Sequence, residues 1–160
     1  MFGLVALGTA PLPSFAQQPS AKIARIGFLG LPTAAGWAKM VEALRAGLRE
    51  YGYVEGRNLV IEFRWAEGQY DRLPALASEL VRLKVDVIVT HATSGVRVAK
   101  EATSTIPIVI AATGDAVAAG LVASLARPGG NITGSSFLAP DLAAKRVDLL
   151  KEALPRIRRV

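Results

Sequence analysis

One stretch constrains the fold more than any other: Val85 to Asp115, VDVIVTHATSGVRVAKEATSTIPIVIAATGD. Two β-branched apolar runs, Val85–Thr90 and Ile106–Ala112, bracket a segment of helical composition, a pattern that reads as strand, crossover helix, parallel strand. Both runs are apolar on both faces, so each is expected in the middle of a sheet covered above and below by helices. Each ends in small polar residues: His91-Ala92-Thr93-Ser94-Gly95 after the first and Thr113-Gly114-Asp115 after the second. In open α/β sheets, ligands bind beyond the carboxyl ends of the strands.

The rest of the chain repeats this unit. Ile23–Gly30 reads as the first strand, and a loop beginning at Leu31 leads into a helix with Trp37, Met40, Val41, Leu44, Leu48 and Tyr51 at helical spacing. Trp37 falls in its first turn, where the ring can wall a site or close the top of the core. Over Leu59–Trp65, apolar residues alternate with Val60, Glu62 and Arg64, which predicts a strand near a sheet edge. Helices are expected over Tyr70–Leu83, with Pro74 in the first turn, and over Ala116–Ala126. A short fifth strand follows from Asn131 to about Phe137, then a helix over Asp141–Leu154 that Pro155 stops.

Residues 1–16, MFGLVALGTAPLPSFA, carry no charge and end in small residues, resembling the apolar region and cleavage site of a secretory signal. No cysteine follows, so the expected product is exported, soluble and periplasmic rather than a lipoprotein. The end of the sequence, Arg156–Val160, resembles the approach to another strand, which suggests a fragment of a longer protein.

With no cysteine and one histidine, the chain offers no thiolate zinc site, iron–sulfur cluster or disulfide framework. No cofactor or metal is expected. The formal charge of +6 is scattered along helices without interleaved aromatics, so nucleic acid is not an expected partner. The sequence contains no G-x-G-x-x-G, no G-x-x-x-x-G-K-[ST] and no G-x-S-x-G. The acidic pair a phosphoryl-accepting receiver needs after its first strand is replaced by Gly30-Leu31. His91, Ser94 and Asp115 are the one set that could serve an α/β enzyme, and this is the weaker alternative.

These strand ends are better suited to binding. Backbone N–H groups at the helix start near Thr93-Ser94-Gly95 favour an anion, and the two hydroxyls add neutral donors. Asp115 can accept from an ammonium group, so the pair of strand ends suits a zwitterion. Competing readings leave Thr93 or Ser94 as caps of their own helix and Asp115 as the cap of the next. Leu31, Trp37 and His91, beside the first and third strands, complete the candidate ligand-binding set, and no catalytic residue is assigned.

Several stretches resemble the substrate-binding proteins of ABC transporters, of the tryptophan/tyrosine-binding type on the type I periplasmic-binding-protein fold. They are Arg25–Gly30 (RIGFLG), Leu48–Leu59 (LREYGYVEGRNL), Ala66–Pro74 (AEGQYDRLP), Val85–Val89 (VDVIV), Ala102–Val109 (ATSTIPIV) and the most distinctive, Gly120–Gly134 (GLVASLARPGGNITG). The resemblance implies a doubly wound parallel five-stranded sheet, order 2-1-3-4-5, with helices on both faces. It implies a ligand-binding lobe over 22–137, then over 138–160 a hinge near Ser136–Pro140 and the start of a second lobe. The solute, small and amino-acid-like, would bind between the lobes and pass to a membrane permease, with the full-length protein monomeric. Thr93, Ser94 and Asp115 occupy the matching binding positions. The sequence departs from the family where Ser94-Gly95 replaces a common Pro-Ala and Ala116 replaces a proline. An alternative use of the same fold is the ligand-sensing input domain of a larger signalling protein.

Overall fold

The computed structural model describes residues 22–137 and 139–154; the leader read over 1–16 and the strand approach over 156–160 lie outside them. Five parallel strands, β1 (Ala24–Gly30), β2 (Leu59–Trp65), β3 (Val87–His91), β4 (Ile108–Thr113) and β5 (Ile132–Ser136), form one sheet in the order β2-β1-β3-β4-β5. The helices are α1 (Ala38–Glu50), α2 (Leu73–Arg82), α3 (Ala92–Ala102) and α4 (Ala139–Ala153). The sheet order and the parallel pairing are those expected from the sequence, and β2, the alternating strand, is an edge.

Period-two geometry sorts the strand residues onto two faces. On one face Leu29, Ile88, Ile108, Ile110 and Ile132 pack against Leu76, Leu80, Val96 and Ala99 of α2 and α3. On the other, Ile26, Phe28, Ile61 and Val89 meet Trp37, Leu44 and Leu48 on the α1 side. Gly30 admits this layer: a Cβ there would stand 2.2 Å from the Trp65 ring, which packs on Phe28 with centroids 5.2 Å apart.

Four expectations need correction. α1 buries Val41, but Met40 and Tyr51 are 57% and 82% exposed, because the helix presents a narrower stripe to the sheet than its apolar spacing suggests. The second helix opens with a 3-10 turn, Tyr70–Arg72, before α2. Full cover of β4 is met on the α2–α3 face only; on the other face Val109 is half-buried and Ala111 exposed, since α1 lies over β1 to β3.

The fourth concerns Ala116–Ala126, which forms a turn over residues 116–120 followed by bends, and no helix. Asp115 Oδ1 accepts the Val117 and Ala118 N–H groups, both at 2.9 Å, and Ala119 N–H bonds Asp115 O, closing a single turn. Gly120 then takes φ +67, which ends the helical path. The N–H groups of Leu121 and Val122 fold back onto Ala116 O, and Lys100 Nζ donates to the carbonyls of Gly120 and Leu121.

Candidate functional site

The carboxyl ends of β1, β3 and β4 lie side by side, and those of β3 and β4 are irregular. The β3–β4 register shifts between Thr90 and His91, and the β4–β5 register between Ile110 and Thr113. Such bulges bend a strand and re-aim its side chains. Beyond β3, Ala92 adopts φ +58, a left-handed conformation uncommon outside glycine, and the chain turns at once into α3.

His91 is the last residue of β3, 7% exposed, with extended backbone. Its ring stacks on the Trp37 indole, with centroids 3.7 Å apart and planes 20° apart. Its Nε2 accepts the Leu31 N–H at 3.3 Å, so the proton of the neutral ring sits on Nδ1. Burial pushes the His91 pKa below its ordinary value, which favours that neutral form. Trp37, half-buried just before α1, has Phe28 on a further side at 6.3 Å. The loop between is tied down at Thr33, whose hydroxyl accepts Gly36 N–H and whose carbonyl accepts Trp37 N–H.

Leu31 is buried against the start of α3. A Cβ on Gly95 would fall 2.5 Å from Thr90 Oγ1 and 2.8 Å from Leu31 Cδ1, so the absence of a side chain lets the loop and the helix approach. Thr90 Oγ1 itself donates to Leu29 O at 2.9 Å. On the next strand, the Thr93 and Thr113 hydroxyls meet at 3.3 Å, which places α3's first turn at the same edge as the β4 end.

The two helix-start readings resolve differently. Among the described residues no side chain caps α3, so its first-turn N–H groups leave the positive end of the helix dipole open there. Asp115 does cap its own turn through Oδ1, while Oδ2 accepts no hydrogen bond among the described residues. Ser136 braces this corner: its Oγ accepts Ala116 N–H at 3.0 Å and donates to Gly114 O at 2.8 Å.

Thr113 and Ser136 carry much of this geometry and lie outside the candidate set; for Thr113, a polar residue closing an apolar strand run is the available signal. His91, Ser94 and Asp115 are not joined: His91 Nε2 is engaged by Leu31, and no hydrogen bond links the three among the described residues. Ser94 is half-buried on α3. Two concavities lie elsewhere, about 220 Å³ between α1 and β2 and about 270 Å³ beside Lys100, and neither is lined by Leu31, His91, Thr93 or Asp115. In the first, the Arg45 guanidinium bridges Glu42 and Glu55 at 2.7 Å each, which answers its charge within the protein.

Comparison with known proteins agrees with this architecture. A conserved domain protein from Vibrio cholerae superposes with a TM-score of 0.73 at 35% identity, covering 86% of this chain and 46% of that one. The ligand-free, open structure of a substrate binding protein with adhesive properties from Clostridium difficile gives 0.72 at 32% identity, over 84% and 45%. The ABC domain in complex with L-Trp from Streptococcus pneumonia gives 0.65 at 32%, over 71% and 38%. Among curated proteins, a tyrosine-binding protein of Clostridioides difficile (strain R20291) is 37% identical over 114 residues, 71% of this chain. The chain spans 32% of that relative's length. The family model described as ABC transporter substrate binding protein matches residues 31–160, and the chain belongs to that family.

Proposed function

We propose that this chain supplies one wall of a solute cleft in the extracytoplasmic binding component of an ABC importer, and that the solute is an amino acid with an aromatic side chain. Binding, not catalysis, is its work. The observation that carries the reading is the Thr93–Thr113 contact, which brings α3's uncapped amides to the end of β4, two residues before Asp115 and its spare oxygen. An α-carboxylate satisfies the first and an α-ammonium the second. The stacked Trp37–His91 pair beside them offers a flat, amphipathic surface to an aromatic ring. Relatives named for tyrosine and solved with L-Trp favour the same solute class.

In this reading the apolar leader over 1–16 directs export to the periplasm, a second lobe closes the cleft near Ser136–Pro140, and the full-length protein, a monomer, hands solute to a membrane permease. With one wall, the affinity of this chain is about millimolar, since an open shelf neither buries the solute nor excludes water. Amide NMR of the chain titrated with L-tryptophan tests the assignment, with tryptamine and N-acetyl-L-tryptophan as ligands lacking one pole each. Shifts at residues 93–95 and 113–115 that weaken with either analogue are expected. Shifts confined to the α1–β2 concavity, or none, would overturn it.

A further inference from the structure

The loop Leu31–Trp37 forms the rim of the mouth on the β1 side, and one side chain touches both of its ends. At the near end, His91 Nε2 accepts the Leu31 N–H; at the far end, the same ring lies against the Trp37 indole. The contact spans 54 positions of sequence between Trp37 and His91, so it is made by the fold, through the β1–β3 pairing that brings Leu29 opposite Thr90. The bulge at Thr90/His91 and the left-handed Ala92 together aim the ring sideways across β1.

Resting on the solute-binding reading above, we propose that His91 is a positioning residue: its imidazole holds the Leu31–Trp37 loop and sets the plane of the Trp37 ring before solute arrives. A wall already in place loses little conformational freedom on binding, which is where preorganised sites gain affinity. The two contacts are chemically separable. Glutamine at position 91 can still accept the Leu31 N–H but has no flat ring; phenylalanine keeps the ring and leaves Leu31 N–H without its acceptor.

The test uses a Trp65→Phe background, which leaves Trp37 as the single indole of a chain that has two. His91→Gln and His91→Phe are compared with that parent, with folding checked by far-UV circular dichroism. Without ligand, His91→Gln should shift Trp37 emission to the red as the ring loses its cover, and His91→Phe should leave it in place. With L-tryptophan as probe, the initial slope of the amide shifts at residues 93–95 should fall about ten-fold in His91→Gln and less in His91→Phe. Unchanged Trp37 emission in His91→Gln overturns the proposal, as do parental binding slopes in both variants. Should the parent itself show no shifts with L-tryptophan, the solute reading fails, and the emission comparison still decides whether His91 sets Trp37.

Discussion

The ends of β3 and β4 begin from nearly the same sequence pattern, an apolar run closing in small polar residues, and finish as opposites. β3 turns through a buried, crowded corner into an eleven-residue helix whose first amides no side chain among the described residues caps. β4 runs into an open corner where Asp115 caps a single turn and Gly120 stops it. One end is built by packing and leaves its polar groups available; the other is built by hydrogen bonds and spends them locally. In the function proposed above, a zwitterionic solute would use the first kind for its anion and the second kind's spare carboxylate oxygen for its cation.

The sharpest way to break this contrast is at the two glycines. Gly95→Val forces a side chain into Thr90 and Leu31 and should destabilise the fold by about 3 kcal/mol in urea denaturation. Gly114→Val, with nothing within 4 Å of its Cβ position, should change stability by no more than about 0.5 kcal/mol. Equal effects would mean that the β3 corner is no more tightly packed than the β4 corner.

Acid should act on the β3 corner first. Folded His91 titrates below 6.5, its ordinary value, so as pH falls through 6.5 the unfolded chain takes up the proton that the folded ring refuses. Stability is therefore full above 6.5 and declines below it, by at most about 1.4 kcal/mol per pH unit, until the folded ring also protonates. Asp86, whose carboxylate is held low by Lys22 and the Arg25 N–H, contributes in a separate window below 3.8. Urea midpoints measured between these windows check the order, and His91→Gln should remove only the upper one.

The smallest effect separates the two uses of Asp115. Removing the cap in Asp115→Ala should cost about 1 kcal/mol, and Asp115→Asn should keep most of that stability. Both should weaken L-tryptophan shifts at residues 113–115, because neither retains the charge. Parental shifts in Asp115→Asn would confine Asp115 to its capping role.

The apolar runs made the sheet legible because a parallel strand buried on both sides has few other ways to be written. The alternation over Leu59–Trp65 likewise marked β2 as an edge, and its Glu62 and Arg64 face partners at the rim. The segment after β4 departs from its helical composition: Ala, Val and Leu favour helix locally, while Gly120's conformation and the bonds returning to Ala116 decide its path. Trp37, His91 and Leu31 could each be nominated from position along the chain. Their mutual contacts depend on a one-residue bulge and a left-handed alanine, neither of which composition or periodicity announces.

That alanine has a mechanical consequence. An L-residue in the left-handed region sits in a narrow steric well, where a glycine would range widely. The junction at Ala92 is thus a stiff elbow, and α3 keeps its aim whatever the load. Compliance at the mouth belongs to the uncrowded Gly114 corner, so any clasping of a guest is a movement of that border towards a fixed anvil.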